Sequence, residues 1–151
     1  MIKKVFLDLE GTIINNWNQA ELINVSLLSA YLRRHAVKEI SIFSFAIWDN
    51  DDKDRFEQQM KAMLERALDV QVIEWRSVDD MLTSVGCDLN ERMDFIRERG
   101  KARAFIDVCK VREHSGSTCV LIDDAVPYET LVSHTLNLEL QLIPIDVISK
   151  L

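Results

Sequence analysis

The sequence predicts one three-layer α/β domain, a doubly wound parallel sheet of about five strands with helices on both faces. Three observations predict it. Short apolar runs alternate with helix-patterned stretches from one end of the chain to the other, the pattern that places parallel strands in one sheet under crossover helices. Only four glycines and two prolines are present, too few for long flexible linkers or low-complexity segments. The length of 151 residues suits one domain with a real core, residues 1–151.

The elements follow in order. Residues 3–8 read as a strand, a short apolar run closed by Gly11 and polar residues. Residues 19–35 carry helical spacing, with Val25, Leu28 and Leu32 on one line. Residues 39–45 form the second strand. Asp49, Asp51 and Asp52 then supply acids for a helix start, where they offset unsatisfied N–H groups. That helix places Phe56, Met60, Met63, Leu64 and Ala67 on one face, and residues 70–75 make a third strand.

Ser77 with Asp80, and Asp88 with Glu91, have capping-box spacing, so two short helices are expected between 77 and 99. Gly100 stops the second. A further helix starts near Lys101 with Ala102, Phe105, Ile106 and Cys109 on one face. Residues 118–123 are nearly all apolar, as expected of a strand covered on both sides. Pro127 suits the first turn of a helix over 127–136, and residues 138–143 make the fifth strand.

Composition narrows the partners. A net charge of −7 opposes general affinity for nucleic acid or anionic membranes, which relies on accumulated Lys and Arg. The apolar runs fall far short of the ~20 residues of a membrane span, and the N-terminus lacks the pattern of a secretory signal. Cys87, Cys109 and Cys119 are odd in number without CxxC spacing, which reads as buried reduced thiols in a cytoplasmic protein. His35, His114 and His134 show no zinc-ligand spacing.

In parallel sheets ligands bind beyond the carboxyl ends of the strands. Here those ends are Asp8-Leu9-Glu10-Gly11-Thr12, then Ser44, then Asp123-Asp124. Clustered carboxylates raise one another's pKa unless a cation joins them, and oxygen-only ligands suit a hard ion such as Mg²⁺. Lys101, at a helix start where cations are disfavoured, is the best placed amine for a phosphate. Ser41, on the same strand as Ser44, remains the alternative hydroxyl.

These residues, in this order, resemble the four motifs of the haloacid dehalogenase superfamily, and the resemblance covers nearly the whole chain. DLEGT follows the first apolar strand, Ser44 the second, and Lys101 stands 22 residues ahead of Asp123 in LIDD. The resemblance implies a Rossmann-like domain without a separate cap, and a magnesium-dependent phosphatase. By it, Asp8 would attack phosphorus, Glu10 would act as acid and base, Ser44 would hold a phosphoryl oxygen, and Lys101 would neutralise charge. Asp8, the Glu10 carbonyl, Asp123 and Asp124 would form the Mg²⁺ site. Residues 76–100 would form at most a small helical cover, so the substrate is a large phosphoester, or a small one enclosed by homo-oligomerisation.

Glu10 departs from the usual Asp of the first motif by one methylene, although enolase-phosphatases of the same superfamily also read Asp-hydrophobic-Glu-Gly-Thr. This departure keeps a second reading open, a non-catalytic binding or regulatory protein on the same fold. A phosphoacceptor receiver domain fits less well, because there the acidic pair ends the first strand. Thr12 reads as a turn residue, Trp48 as a hydrophobic contact before a stacking platform, and Asp49, Asp51 and Asp52 as caps before metal ligands.

Overall fold

The computed structural model describes residues 2–151. Six strands form one sheet in the order β3-β2-β1-β4-β6-β5: β1 Ile2–Leu7, β2 Glu39–Phe43, β3 Gln71–Arg76, β4 Ser117–Asp123, β5 Glu129–Ser133 and β6 Leu138–Pro144. All neighbours pair in parallel except β5, which runs antiparallel to β6 at the edge. Among the described residues five α-helices accompany them: α1 Val25–Arg34, α2 Asn50–Gln59, α3 Lys61–Leu68, α4 Val78–Val85 and α5 Arg92–Arg112. No helix of the described residues is long and apolar enough to cross a membrane.

The core lies on both faces of the sheet, which is why the central strands are apolar without alternation. On one face Leu7, Ile40, Ile42 and Val120 pack with Leu28 and Leu32 of α1, Phe56 of α2 and Leu64 of α3. On the other, Phe6, Phe43 and Leu121 pack with Met81 and Leu82 of α4 and with Phe105 and Val108 of α5. The rings of Phe6, Phe43 and Phe105 meet edge to face, with centroids 5.2–6.4 Å apart.

The chain departs from the sequence expectation in three places. Residues 127–136 do not form a helix: the run ETLVS becomes β5, joined to β6 by a short loop in which Asn137 has φ 51°. Thr130 and Val132 favour the extended backbone, and pairing with β6 outweighs the helix-start preference of Pro127. The sheet therefore has six strands, not five. Residues 19–24 are not helical either, and α1 begins at Val25. Ala20 and Asn24 take left-handed φ of 53° and 56°. Asn15 Oδ1 accepts from the Glu21 N–H at 3.0 Å, and its amide donates to Gln19 at 2.7 Å. Such local side-chain bonds compete with a helix. Finally, the helix expected after Asp49 is divided at Met60, whose φ of −119° leaves the helical range.

The caps fall where expected. Asp49 accepts from the Asp52 N–H, and Ser77/Asp80 and Asp88/Glu91 both close capping boxes.

The connectivity positions the site. From β1 the chain winds outward through β2 to β3, then returns to the opposite side for β4 and β6. The boundary between β1 and β4 is thus where the winding reverses, and a crevice opens beyond the carboxyl ends of such strands. Leu7 pairs with Ile122, and the Asp8 N–H donates to the Ile122 carbonyl at 3.0 Å. Asp8 and Asp123 therefore leave the sheet side by side, at that crevice.

Candidate functional site: a carboxylate cluster bridged by Lys101

Asp8, Asp123 and Asp124 bring carboxylate oxygens within 4.8 Å of one another. Asp8 is 4% exposed and Asp123 1%, whereas Asp124 lies on the outer rim. Lys101 reaches in from α5: its Nζ is 2.7 Å from Asp8 Oδ1 and 3.3 Å from Asp123 Oδ2. The Thr12 hydroxyl, fully buried, donates to Asp8 Oδ2 at 3.4 Å. Asp123 Oδ1 accepts from the Ala125 N–H at 2.7 Å.

The electrostatics follow from crowding. Burial, reinforced by the charge of Asp123, pushes the Asp8 carboxyl up to about 6, against the downward pull of the Lys101 ammonium. Burial, then a hydrogen bond with Asp123 and its charge, also raises Asp124. One lysine against three carboxylates leaves a formal charge of −2 when all are ionised. Asp123 Oδ2 is buried and, despite the nearby ammonium, receives no well-aligned hydrogen bond. A surplus of charge, an unsatisfied buried oxygen and an all-oxygen donor set fit a hard divalent cation.

The turn after β1 makes the cluster possible. The N–H groups of Thr12, Ile13 and Ile14 all point at the Leu9 carbonyl, and Gly11 donates to Ile14 at 2.8 Å. Asn24 clamps the turn by donating to the Thr12 carbonyl at 2.9 Å. Gly11 has φ 77°, and a Cβ there would stand 2.7 Å from Asp124 Cγ. Glycine is needed twice over, for the backbone and for the neighbour.

Ser44 follows directly on Phe43, the last residue of β2, and is 1% exposed. Its Oγ accepts from the Ala46 N–H at 3.1 Å, which leaves the hydroxyl proton free to donate elsewhere. Ser41 is paired with Phe6 inside the sheet, away from the strand end. Glu10 is placed differently from the other acids. Its side chain is exposed, and Oε2 accepts from the Trp17 N–H at 2.8 Å, anchoring the loop after β1. It does not belong to the carboxylate cluster.

Two contacts of the site are not legible as such in the sequence. The Phe45 ring lies under Lys101, with Nζ 4.7 Å from its centroid, so an aromatic face shares the ammonium with the carboxylates. The close approach of Gly11 to Asp124 joins segments far apart in the chain; the Gly of DLEGT signals a turn but not its neighbour. Trp48 packs against the core beside Arg92, whose guanidinium lies 5.7 Å from its ring. Asp49 and Asp52 cap α2.

Comparison with family models, with curated proteins and with solved structures returns no match to this chain.

Proposed function

We propose that the chain is a magnesium-dependent phosphatase of the haloacid dehalogenase type that hydrolyses a phosphomonoester through an aspartyl-phosphate on Asp8. The observation that carries this reading is the bridge from Lys101 to Asp8 and Asp123 at the reversal point of the sheet. A buried carboxylate beside an ammonium, with further carboxylates to hold a cation, suits attack on an anionic phosphoryl group.

In this mechanism an Asp8 oxygen bonds to phosphorus as the bond to the leaving oxygen breaks, and the leaving oxygen takes up a proton. Water then attacks the phosphorus of the acyl phosphate, loses its proton, and restores the Asp8 carboxylate with release of phosphate. Lys101 offsets negative charge on the phosphoryl oxygens, and the free proton of Ser44 donates to one of them. Asp8, Asp123 and Asp124, with the Glu10 carbonyl, would hold Mg²⁺. The ion supplies charge neutralisation of the phosphoryl group and the carboxylates. Glu10 serves as acid and base once its carboxylate turns from Trp17.

Phosphate release from sugar phosphates, nucleotides and phosphopeptides, with and without Mg²⁺, tests the proposal. Turnover should require Mg²⁺, an acyl phosphate should be trapped by acid quench, and Asp8→Asn should lower the rate by at least about 10³-fold. Wild-type-like turnover by Asp8→Asn rejects it. The engagement of Glu10 with Trp17 favours a second reading, a binding or regulatory protein on the same fold. That reading expects Mg²⁺-dependent binding of phosphate without turnover of any phosphoester.

A further inference from the structure

Lys101 is carried by a bent helix. Within α5 only Gly100 leaves helical geometry, with φ 68° and ψ 179°, a backbone state essentially confined to glycine. Nothing lies within 4 Å of the place a Cβ would occupy, so glycine is not there to make room for a neighbour. The bend itself is what glycine permits. It separates the stretch 92–99, which enters the core through Phe95, from the stretch 101–112, which enters it through Ala104, Phe105 and Val108.

A second observation shows what holds the bend. Arg99 Nε lies 3.0 Å from Asp107 Oδ2, although the residues are eight apart in sequence. In an unbroken helix they would be separated by about 12 Å along the axis, further than the two side chains close. The pair therefore forms across the joint only when it is bent. Asp107 also receives Arg103 at 3.2 Å, and the Arg99 guanidinium lies 4.7 Å from the Phe95 ring. The latch thus ties both sides of Gly100 together.

We propose that the Gly100 joint, latched by the Arg99–Asp107 bridge, is a positioning device that aims Lys101 between Asp8 and Asp123. Lys101 is the first residue beyond the joint, so it takes the full change in chain direction. Phe105 and Val108, a turn and more further on, are fixed by the core. An L-residue at position 100 favours helical backbone angles, which straighten the joint, break the latch and swing the Lys101 stem away from Asp8. Gly100 and Asp107 touch no substrate; they act through Lys101. The consequence for turnover rests on the phosphatase reading, whereas the consequence for the place of Lys101 does not.

Amine acylation of the folded chain, read lysine by lysine by mass spectrometry, tests this. The Lys101 side chain is 12% exposed, so it reacts slowly relative to exposed Lys150. Gly100→Ala should raise the relative rate at Lys101 by about tenfold, and Asp107→Asn by about threefold, as the protected state opens. Gly116→Ala is the control: Gly116 also has positive φ, meets only the Asn137 amide at 4.0 Å, precedes β4 at the end opposite Asp123, and should leave that rate within about twofold. Lys101 protection within about twofold of wild type in both Gly100→Ala and Asp107→Asn overturns the proposal. If Gly100→Ala does not fold, Asp107→Asn decides alone by the same criterion. Phosphate release is measured on the same proteins. Exposed Lys101 with a lowered kcat supports device and phosphatase together; exposed Lys101 in a chain whose wild type turns over nothing upholds the device and removes the phosphatase.

Discussion

Gly11 and Asp124 are in such close apposition that a methyl group on the glycine would stand 2.7 Å from the Asp124 carboxyl carbon. The two residues come from different strand ends, and their contact closes the rim of the carboxylate cluster. Gly11→Ala therefore acts in two ways. The φ of 77° strains an L-residue by about 1–2 kcal/mol, and the new methyl displaces Asp124. The variant should lose stability by about that amount and, on the proposed magnesium reading, bind Mg²⁺ about tenfold more weakly, since a moved carboxylate no longer converges with its partners. Calorimetry on wild type, Gly11→Ala, Asp124→Ala and the double variant separates the two effects. With Asp124 truncated, Gly11→Ala should retain its strain but lose most of its effect on the metal. Additive losses of affinity would show that the contact does not matter to the cluster.

The raised carboxyl of Asp8 makes a prediction about pH. Its folded value of about 6 lies above the ordinary 3.8, so between these values the native state holds a proton that the unfolded chain has released. Stability from this group is full below pH 3.8 and is lost as pH rises to about 6. The span corresponds to about 3 kcal/mol. Asp80 and Glu74, held below their ordinary values, act in the opposite sense and lose stability on acidification. The comparison is therefore made against Asp8→Asn, which does not titrate there. In chelator, wild type should lose stability relative to Asp8→Asn between pH 4 and pH 6, measured by urea unfolding. On the magnesium reading the ion would bind the ionised form, and adding it should shrink the difference at pH 7. A constant difference across the range would place the titration elsewhere.

Much of this site is legible in the residue pattern alone, because it depends on strand ends. Asp8, Ser44 and Asp123 sit where apolar runs stop, and a buried parallel strand stops at a definite place. Lys101 is legible from Gly100 and from the unfavourable position of a cation at a helix start. The geometry accounts for that position: Lys101 lies 2.7 Å from Asp8 and over the Phe45 ring. What the pattern does not carry depends on partners distant in sequence. β5 is an edge strand with Val132 exposed, so burial gives it no apolar period, and Pro127 favours a helix start. The start of α1 at Val25 rests on left-handed angles at Ala20 and Asn24, which residue pattern does not announce. The bend at Gly100 shows in the sequence only as a stop between two helices, without the Arg99–Asp107 bridge that fixes its angle.

Glu10 is the residue whose place and proposed role pull apart. Its Oε2 accepts from the Trp17 N–H at 2.8 Å, and Arg55 holds the same segment by donating to the Trp17 carbonyl at 2.8 Å. As an anchor it needs only an acceptor oxygen; as an acid and base it needs a titrating carboxyl. Glu10→Gln keeps the first and removes the second, whereas Glu10→Ala removes both. If Glu10 handles the proton, Glu10→Gln should slow hydrolysis of an alkyl phosphate by about 10²-fold or more but leave an activated aryl phosphate within a few-fold. A departing alkoxide needs a proton and a nitrophenolate does not. Acyl phosphate on Asp8 should also accumulate, because the attacking water has lost its base. The loop, still anchored, should resist proteolysis around residues 15–21 as wild type does, and Glu10→Ala should not. If Glu10 is an anchor alone, Glu10→Gln should match wild type on both substrates, with no trapped intermediate, while Glu10→Ala affects both equally. Glu10→Asp completes the series: a shorter carboxylate restores the common motif but reaches less far towards Trp17. An enzyme built around glutamate should lose rate on the alkyl substrate, and a site in which glutamate blocks turnover should gain it.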